Sequence, residues 1–369
     1  LLERDLPEIA RALAHEGARK VSIAEILRFR FPGVAITAKD ESTSFLCFSR
    51  SLLQRVLLEE VKRSRIELVR ARVSGLLREG NVVNGVELGA TRLESELTLD
   101  TTGAGSTRSA WLEKLGIGPE RFQTYGPRYV SLAKFYRTTL PSSSIQFDLA
   151  SGQNFRGGVY PLEGDRFAIA LVVPEQVLPE VNDRAAAEKF FDAALARIPR
   201  SSILLAASTA TRDLQIVKGL GNRISTFYFS PKLADSLQGF LPIGDSVLVG
   251  NPIYGRGISL AVSQLDDLMQ ARGTDGTDLS GLRAKMTASL KKIRPYWLDG
   301  AIADRADEVS NRPSRRLLRL LRDRYVATVI PQLATDPELT RRFLYNYQLM
   351  LPAWRITGPR QYLAALLNR

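Results

Sequence analysis

Apolar positions along this chain recur with two periods, and the change between them marks its organisation. At helical spacing, Leu52, Leu53, Val56, Leu57 and Val61 fall on one face and predict a helix capped by Ser49 or Ser51. Residues 109–115 predict a second helix that stops at Gly116, residues 184–198 a third, and residues 258–271 a fourth. Residues 8–30 carry helical spacing with weak apolar character. Short apolar runs predict strands at 45–48, 66–69, 71–77, 82–88, 97–100, 225–229 and 240–243. From 128 to 173 alternation dominates, and the runs 130–136, 145–149, 157–162 and 166–173 fit a meandering antiparallel sheet. A polar stretch at 273–278 then leads into a mostly helical remainder. Helices and strands interleave on both sides of the β-rich part, so the pattern is α/β with an α+β insertion.

Composition removes whole classes of chemistry. The 369 residues include one Cys, Cys47, and one His, His15. One Cys rules out an internal disulfide framework and makes a cysteine metal site untenable, and a single His argues against a Ser-His-Asp triad, a His-rich metal site and a His-Glu-x-x-His motif. Cys47 reads as a small core residue and His15 as a surface residue. No apolar run approaches 18 residues and no signal peptide is visible, which points to a cytoplasmic chain. The net charge of +12 is scattered, with one concentration at Arg312, Arg315, Arg316, Arg319, Arg322 and Arg324 among leucines. That segment reads first as a solvated amphipathic helix. A peripheral membrane surface or an acidic carrier protein is the alternative, and nucleic acid comes last for want of a recognisable module.

The most informative string is 239–258. An apolar run ends at Gly244-Asp245, and Asn251-Pro252-Ile253-Tyr254-Gly255-Arg256-Gly257 then opens a helix at Ile258. Glycines there let backbone approach a flat or anionic ligand, and the first turn of the helix offers free N–H groups. Asp245 is placed to accept hydrogen bonds from ligand hydroxyls. A second string, Asp100-Thr101-Thr102-Gly103-Ala104-Gly105-Ser106, reads as a strand-to-helix turn. A third, Ser49-Arg50-Ser51-Leu52-Leu53, puts an arginine at a helix start, against the dipole unless an anion is near.

Together these strings resemble the FAD-dependent monooxygenases of the para-hydroxybenzoate hydroxylase type, in particular a bacterial subfamily that includes polyketide epoxidases. The resemblance extends over nearly the whole chain and implies a Rossmann-like FAD-binding domain interleaved with a β-sheet substrate domain. Residues 1–125 would be the first part of the FAD domain, 126–235 the substrate domain, 236–272 the second FAD part and 273–369 a helical C-terminal region. By the same resemblance Gly244, Asp245, Pro252, Gly255, Gly257 and Ile258 form the second FAD segment. Gly103 meets the flavin through its backbone, supported by Asp100 and Ser106. Arg50 meets the FAD phosphates or ribose, and the backbone of Val73 meets adenine. Leu1-Leu2-Glu3-Arg4 looks like the end of a second Rossmann strand, with Glu3 and Arg4 at the adenosine. No complete Gly-x-Gly-x-x-Gly occurs, so the expectation is a first strand and phosphate loop upstream of Leu1. Arg256 stands where the subfamily usually has Gln, which bears on the charge at the pyrimidine edge of the flavin.

The resemblance implies hydroxylation or epoxidation of an apolar small molecule through a flavin C4a-hydroperoxide, with NAD(P)H as reductant. Tyr254 is the candidate substrate-orienting side chain, while Tyr160 reads more readily as core. Three alternatives stay open. A halogenase would carry a Trp-x-Trp-x-Ile motif, whereas Trp111, Trp297 and Trp354 are isolated. A reductase of prenyl-type substrates shares the same FAD strings. A non-catalytic remnant lacking the phosphate loop is the third.

Overall fold

The 17-residue strand Phe122–Thr138 is the spine of the fold. The computed structural model describes residues 2–118, 120–151, 154–177, 183–198, 201–230, 233, 236–272, 279–305, 332–333, 335–351 and 355–356. On one side the spine pairs antiparallel with Arg166–Pro174, with Tyr136 opposite Phe167 and Ala133 opposite Ala170. Arg156–Pro161 and then Asp148–Ser151 extend the sheet beyond that strand. On the other side lie Gln215–Ser225 and the short edge strand Leu248–Val249, and Ser208–Ala210 pairs with the far end of the spine. One approach is too close for any side chain but hydrogen, since a Cβ on Gly157 would lie 2.1 Å from the Ala170 carbonyl oxygen. Helices Arg184–Leu195 and Ser201–Ala206 cover the sheet, burying Phe191, Ala187 and Leu204 against Val130, Leu132, Ile169 and Leu171.

A second core surrounds a pair of parallel strands. The one parallel ladder among the described residues joins Phe240–Pro242 to Thr98–Asp100. Helices Arg108–Lys114, Gly257–Arg272 and Leu279–Arg305 pack around it through Trp111, Leu112, Leu260, Leu290 and Trp297. The antiparallel sheet Gly75–Glu79, Val82–Leu88 and Thr91–Glu94 lies alongside. A third cluster joins the N-terminal region to the far C-terminal helix. The pair Arg19–Ser22 and Ser44–Cys47, helix Ile23–Arg30 and helix Pro337–Tyr347 meet there around Phe45, Phe147, Tyr345 and Tyr347. The result is the mixed α/β architecture the sequence pattern implies.

Several elements differ from expectation, each for a physical reason. Residues 66–69 carry no strand pairing, and Ile66 and Leu68 are 61% and 59% exposed. An apolar run becomes a strand only where a neighbouring backbone accepts its hydrogen bonds, and no described residue pairs with these. Leu2–Asp5 is a helical turn rather than a strand end, for the same want of a partner. Arg19–Ser22 interrupts the helical spacing of 8–30 because it pairs with Ser44–Cys47, a contact that local periodicity does not carry. The strand expected at 225–229 lies upstream at Gln215–Ser225, where Gly219, Gly221 and two register shifts dilute the alternation, and Phe227–Phe229 is a 3-10 turn. The Arg312–Arg324 concentration and Trp354 lie outside the described residues. Among those described, no helix is long and apolar enough to cross a membrane.

Candidate functional site

The parallel register sets the site. Pro242 lies opposite Asp100, so the Gly244-Asp245 turn and the turn beginning at Thr101 leave the same ends of adjacent strands. They are stitched together: Ile243 donates its N–H to the Asp100 carbonyl at 2.9 Å, and the Ser246 hydroxyl donates to the same oxygen at 2.8 Å. Gly244 adopts φ +67°, a left-handed conformation that favours glycine, and its N–H donates to Gln264 Oε1 at 3.0 Å. Asp245 is thereby presented at the surface, and its carboxylate accepts no hydrogen bond from any described residue. Desolvation by the surrounding protein pushes this carboxyl above its ordinary range, with the Arg50 and Arg223 guanidinium groups opposing.

The loop beyond is held from behind. Buried Asn251 donates its N–H to Asn222 Oδ1 at 2.9 Å and accepts from the Ile253 N–H, which shapes the 3-10 turn Pro252–Tyr254. Gly255 then takes φ +58°. The first bond of the following helix runs from the Leu260 N–H to the Arg256 carbonyl, so the N–H groups of Gly257, Ile258 and Ser259 precede the ladder. Ile258 is 44% exposed at that end.

The second turn is rigid underneath and open above. Asp100 accepts from the Thr102 N–H at 3.0 Å, the Ser106 hydroxyl at 2.9 Å and Arg108. Asp100 and Ser106 are thus structural supports, as the sequence suggests. A Cβ on Gly103 or Gly105 would meet nothing within 4 Å, so both present bare backbone to open space. Arg223 donates to the Ala104 carbonyl and also bears on Asp245, linking the two turns. Sequence reading missed Arg108, Glu120 and Arg223. Nothing in a lone charged residue within a small-residue turn distinguishes a buried tie from a surface side chain.

Arg50 opens helix Arg50–Arg63, whose cap is Ser49. The buried Glu163 carboxylate accepts from the Ser49 hydroxyl at 2.6 Å and the Ser49 N–H at 2.7 Å, and Arg166 donates to it as well. Burial opposes its ionisation, but those donors prevail and hold Glu163 below the ordinary glutamate range. Arg50 itself forms no ion pair among the described residues and stands close enough to Asp245 to oppose its shift. Val73 is half-buried against the core around Trp111.

Other expected residues sit elsewhere. Glu3 occupies the helical turn Leu2–Asp5 and accepts from Lys20 at 2.7 Å, so it does not end a strand. Arg4 donates to Asp266 at 2.6 Å, fastening that turn to helix Gly257–Arg272. Arg256 points away from the loop's open side. Its guanidinium is buried and donates to the Tyr296 carbonyl at 3.0 Å, the Asn346 carbonyl at 2.8 Å and Asn346 Oδ1 at 2.6 Å. It therefore ties the loop to the C-terminal helices. The Tyr254 hydroxyl accepts from Arg156 at 3.3 Å, bridging the loop to the large sheet. Tyr160 packs edge-on against Phe147, as a core aromatic does. Burial pushes the Cys47 thiol up to about 11, so it stays protonated and is no nucleophile at neutral pH.

The arrangement offers bare glycine backbone on two adjacent turns, helix-start N–H groups, and a carboxylate with unused acceptor capacity. Those are the fittings for a flat, hydroxyl-bearing, electron-rich cofactor such as FAD. No family model matches the chain, and no curated protein matches it. Among solved structures it is similar to the flavin-dependent brominase Bmp2, at 15% identity and a TM-score of 0.63, over 99% of this chain and 85% of that one. It is similar to p-nitrophenol 4-monooxygenase PnpA from Pseudomonas putida DLL-E4, at 14% identity and 0.61, over 95% and 86%. PqsL, a probable FAD-dependent monooxygenase from Pseudomonas aeruginosa, aligns at 17% identity and 0.60, over 83% and 82%. At such identities the likeness is one of architecture: the chain has the fold shared by FAD-dependent monooxygenases and flavin-dependent halogenases.

Proposed function

We propose that the protein is an FAD-dependent oxidoreductase, and within that class a monooxygenase that hydroxylates or epoxidises an apolar small molecule using NAD(P)H and O2. The observation that carries this reading is Asp245, a carboxylate that accepts from no described residue, set between the turns at Gly103 and Gly257. A bound, reduced flavin would supply the oxygen activation. The chain's own residues would do the rest. Asp245 accepts ribityl hydroxyls, Gly103 and Gly105 permit close backbone approach, and the N–H groups of Gly257, Ile258 and Ser259 favour negative charge on the electron-rich edge of the ring. Arg50 would meet the phosphates. The large sheet supplies a roof that excludes water, and Tyr254, held by Arg156, would orient substrate.

A second reading, halogenation, is favoured by the architectural likeness to a brominase, against the absence of paired tryptophans. The test reconstitutes the protein with FAD and a reductant under labelled oxygen, with and without bromide. Labelled oxygen in product supports the proposal, and bromine in product moves the protein to the halogenases. Anaerobic saturation of a double bond moves it to the reductases. Failure to bind FAD after reconstitution overturns the flavin reading altogether.

A further inference from the structure

Helix Gly257–Arg272 buries Leu260, Gln264, Leu268 and Ala271, a spacing that places all four on one face. Three of them are apolar and join the core around Trp297. Gln264 is the exception, a glutamine 1% exposed in the middle of an apolar stripe. Its Oε1 accepts the Gly244 N–H at 3.0 Å, and because that partner can only donate, the orientation of the amide is fixed. The other end, Nε2, is buried and donates to no described residue. A leucine at this position would complete the stripe and bury no unpaired amide, so glutamine is retained here at a cost in stability.

What the glutamine holds is the turn that presents Asp245. Gly244 is gripped at both ends, its N–H by Gln264 and its carbonyl by the Val247 N–H at 2.9 Å. Ala261, one turn before Gln264, stands 3.5 Å from where a Cβ on Gly244 would lie, so helix and turn are in contact. At the start of the same helix, a Cβ on Gly257 would lie 3.7 Å from Asp245 Oδ1. One rigid helix thus meets the carboxylate at its first turn and the glycine before it at its second. We infer that Gln264 is a positioning residue for flavin binding: it fixes the left-handed conformation of Gly244 and, through it, the place of the Asp245 carboxylate. Being buried, it touches no ligand itself and acts through Asp245. The inference rests on the reading of Asp245 as a flavin acceptor.

The experiment compares the parent chain with Gln264→Leu, Gln264→Glu and a control, Gln270→Leu, at an exposed position of the same helix. Each is titrated with FAD by calorimetry and melted without it, and hydrogen exchange of the Gly244 amide is followed in the flavin-free chain. Gln264→Leu is expected to weaken FAD binding about tenfold, through a misplaced charge-assisted acceptor, and to speed exchange at Gly244. Its melting midpoint should hold or rise, because one unpaired donor replaces another while an apolar side chain joins the stripe. At about pH 6 burial keeps the carboxyl of Gln264→Glu neutral, and its carbonyl oxygen still accepts from Gly244, so that variant should restore both affinity and protection. Gln270→Leu should change neither. Affinity and melting midpoint that fall together in Gln264→Leu, without rescue in Gln264→Glu, would make Gln264 a packing residue and overturn the inference. Unchanged affinity or unchanged Gly244 exchange in Gln264→Leu would overturn it as well. A parent chain that does not bind FAD would bring down the flavin reading and this inference with it, a result distinct from a parent and a Gln264→Leu variant that bind alike.

Discussion

Arg108 and Glu120 form a two-pronged ion pair, Nε to Oε2 at 2.7 Å and Nη2 to Oε1 at 3.0 Å, with both side chains no more than 1% exposed. Arg108 also reaches Asp100 and donates to the Ser246 carbonyl at 2.8 Å, so one guanidinium holds both turns of the candidate site in place. Arg108→Met would leave two carboxylates buried without their cation, at a cost of about 3–5 kcal/mol in urea unfolding. Burial, only partly offset by Arg108, raises Glu120 above its ordinary value. A raised acid favours the folded state below its unfolded pKa and loses that advantage as pH rises through the folded one. The Arg108→Met deficit should therefore be largest at neutral pH and shrink toward acid. A deficit that does not change with pH would contradict this account.

Glu163 has the opposite sign. Its folded pKa is lowered, so its contribution is present above the unfolded value of 4.5 and is lost as pH falls through the folded value. Glu163→Gln should cost about 1–3 kcal/mol at pH 7 by weakening the bonds to Ser49. The difference from the parent should narrow below about pH 4, as the native carboxyl protonates. Thermal melts from pH 7 to pH 3 on both proteins would check it.

Asp245 trades stability against binding. Its raised pKa means that the charged form is slightly unfavourable in the fold at neutral pH, the penalty appearing as pH rises above the unfolded value. Asp245→Asn should raise the melting temperature slightly, by under about 1 kcal/mol because the group is exposed and screened. The same change should weaken FAD binding by about tenfold or more, through loss of a charge-assisted acceptor. Flavin retention after dialysis, measured beside the melt, separates the two effects. Lower stability with unchanged flavin would refute both halves.

What could be read in the sequence and what could not divide along contact range. The cap at Ser49, the helices at 109–115 and 258–271, and the Gly244-Asp245 turn are local patterns, and each lies within a residue or two of its expected place. The strand at Arg19–Ser22 and the tie from Arg108 to Glu120 depend on partners 12 or more residues away, which no local period encodes. Arg256 shows the limit most clearly. Its neighbours in sequence are two glycines of the loop, which drew attention to the cofactor side, whereas its partners Tyr296 and Asn346 lie 40 and 90 residues onward.

That contact makes the last prediction. Helix Pro337–Tyr347 is fastened at two points. From its middle onward, Arg341 pairs with buried Asp40 at 3.1 Å, and one turn later the Tyr345 hydroxyl donates to the same carboxylate at 2.8 Å. At its C-terminus, Asn346 accepts from Arg256, and the Tyr347 hydroxyl donates to the Ile253 carbonyl at 3.3 Å. Tyr347 also lies so close to the loop that a Cβ on Gly255 would come within 2.7 Å of its hydroxyl oxygen. Arg256→Gln would release the second fastening while leaving the first intact, at a cost of about 2 kcal/mol for buried acceptors left without their donor. Hydrogen exchange should then rise in 346–351 and in the 251–256 loop and stay unchanged at 337–345. Gly255→Ala should loosen the same two segments by pushing Tyr347 away, and it adds backbone strain at φ +58°. Uniform exchange along the whole helix in either variant would show that the two fastenings act as one unit, and the division drawn here would fail.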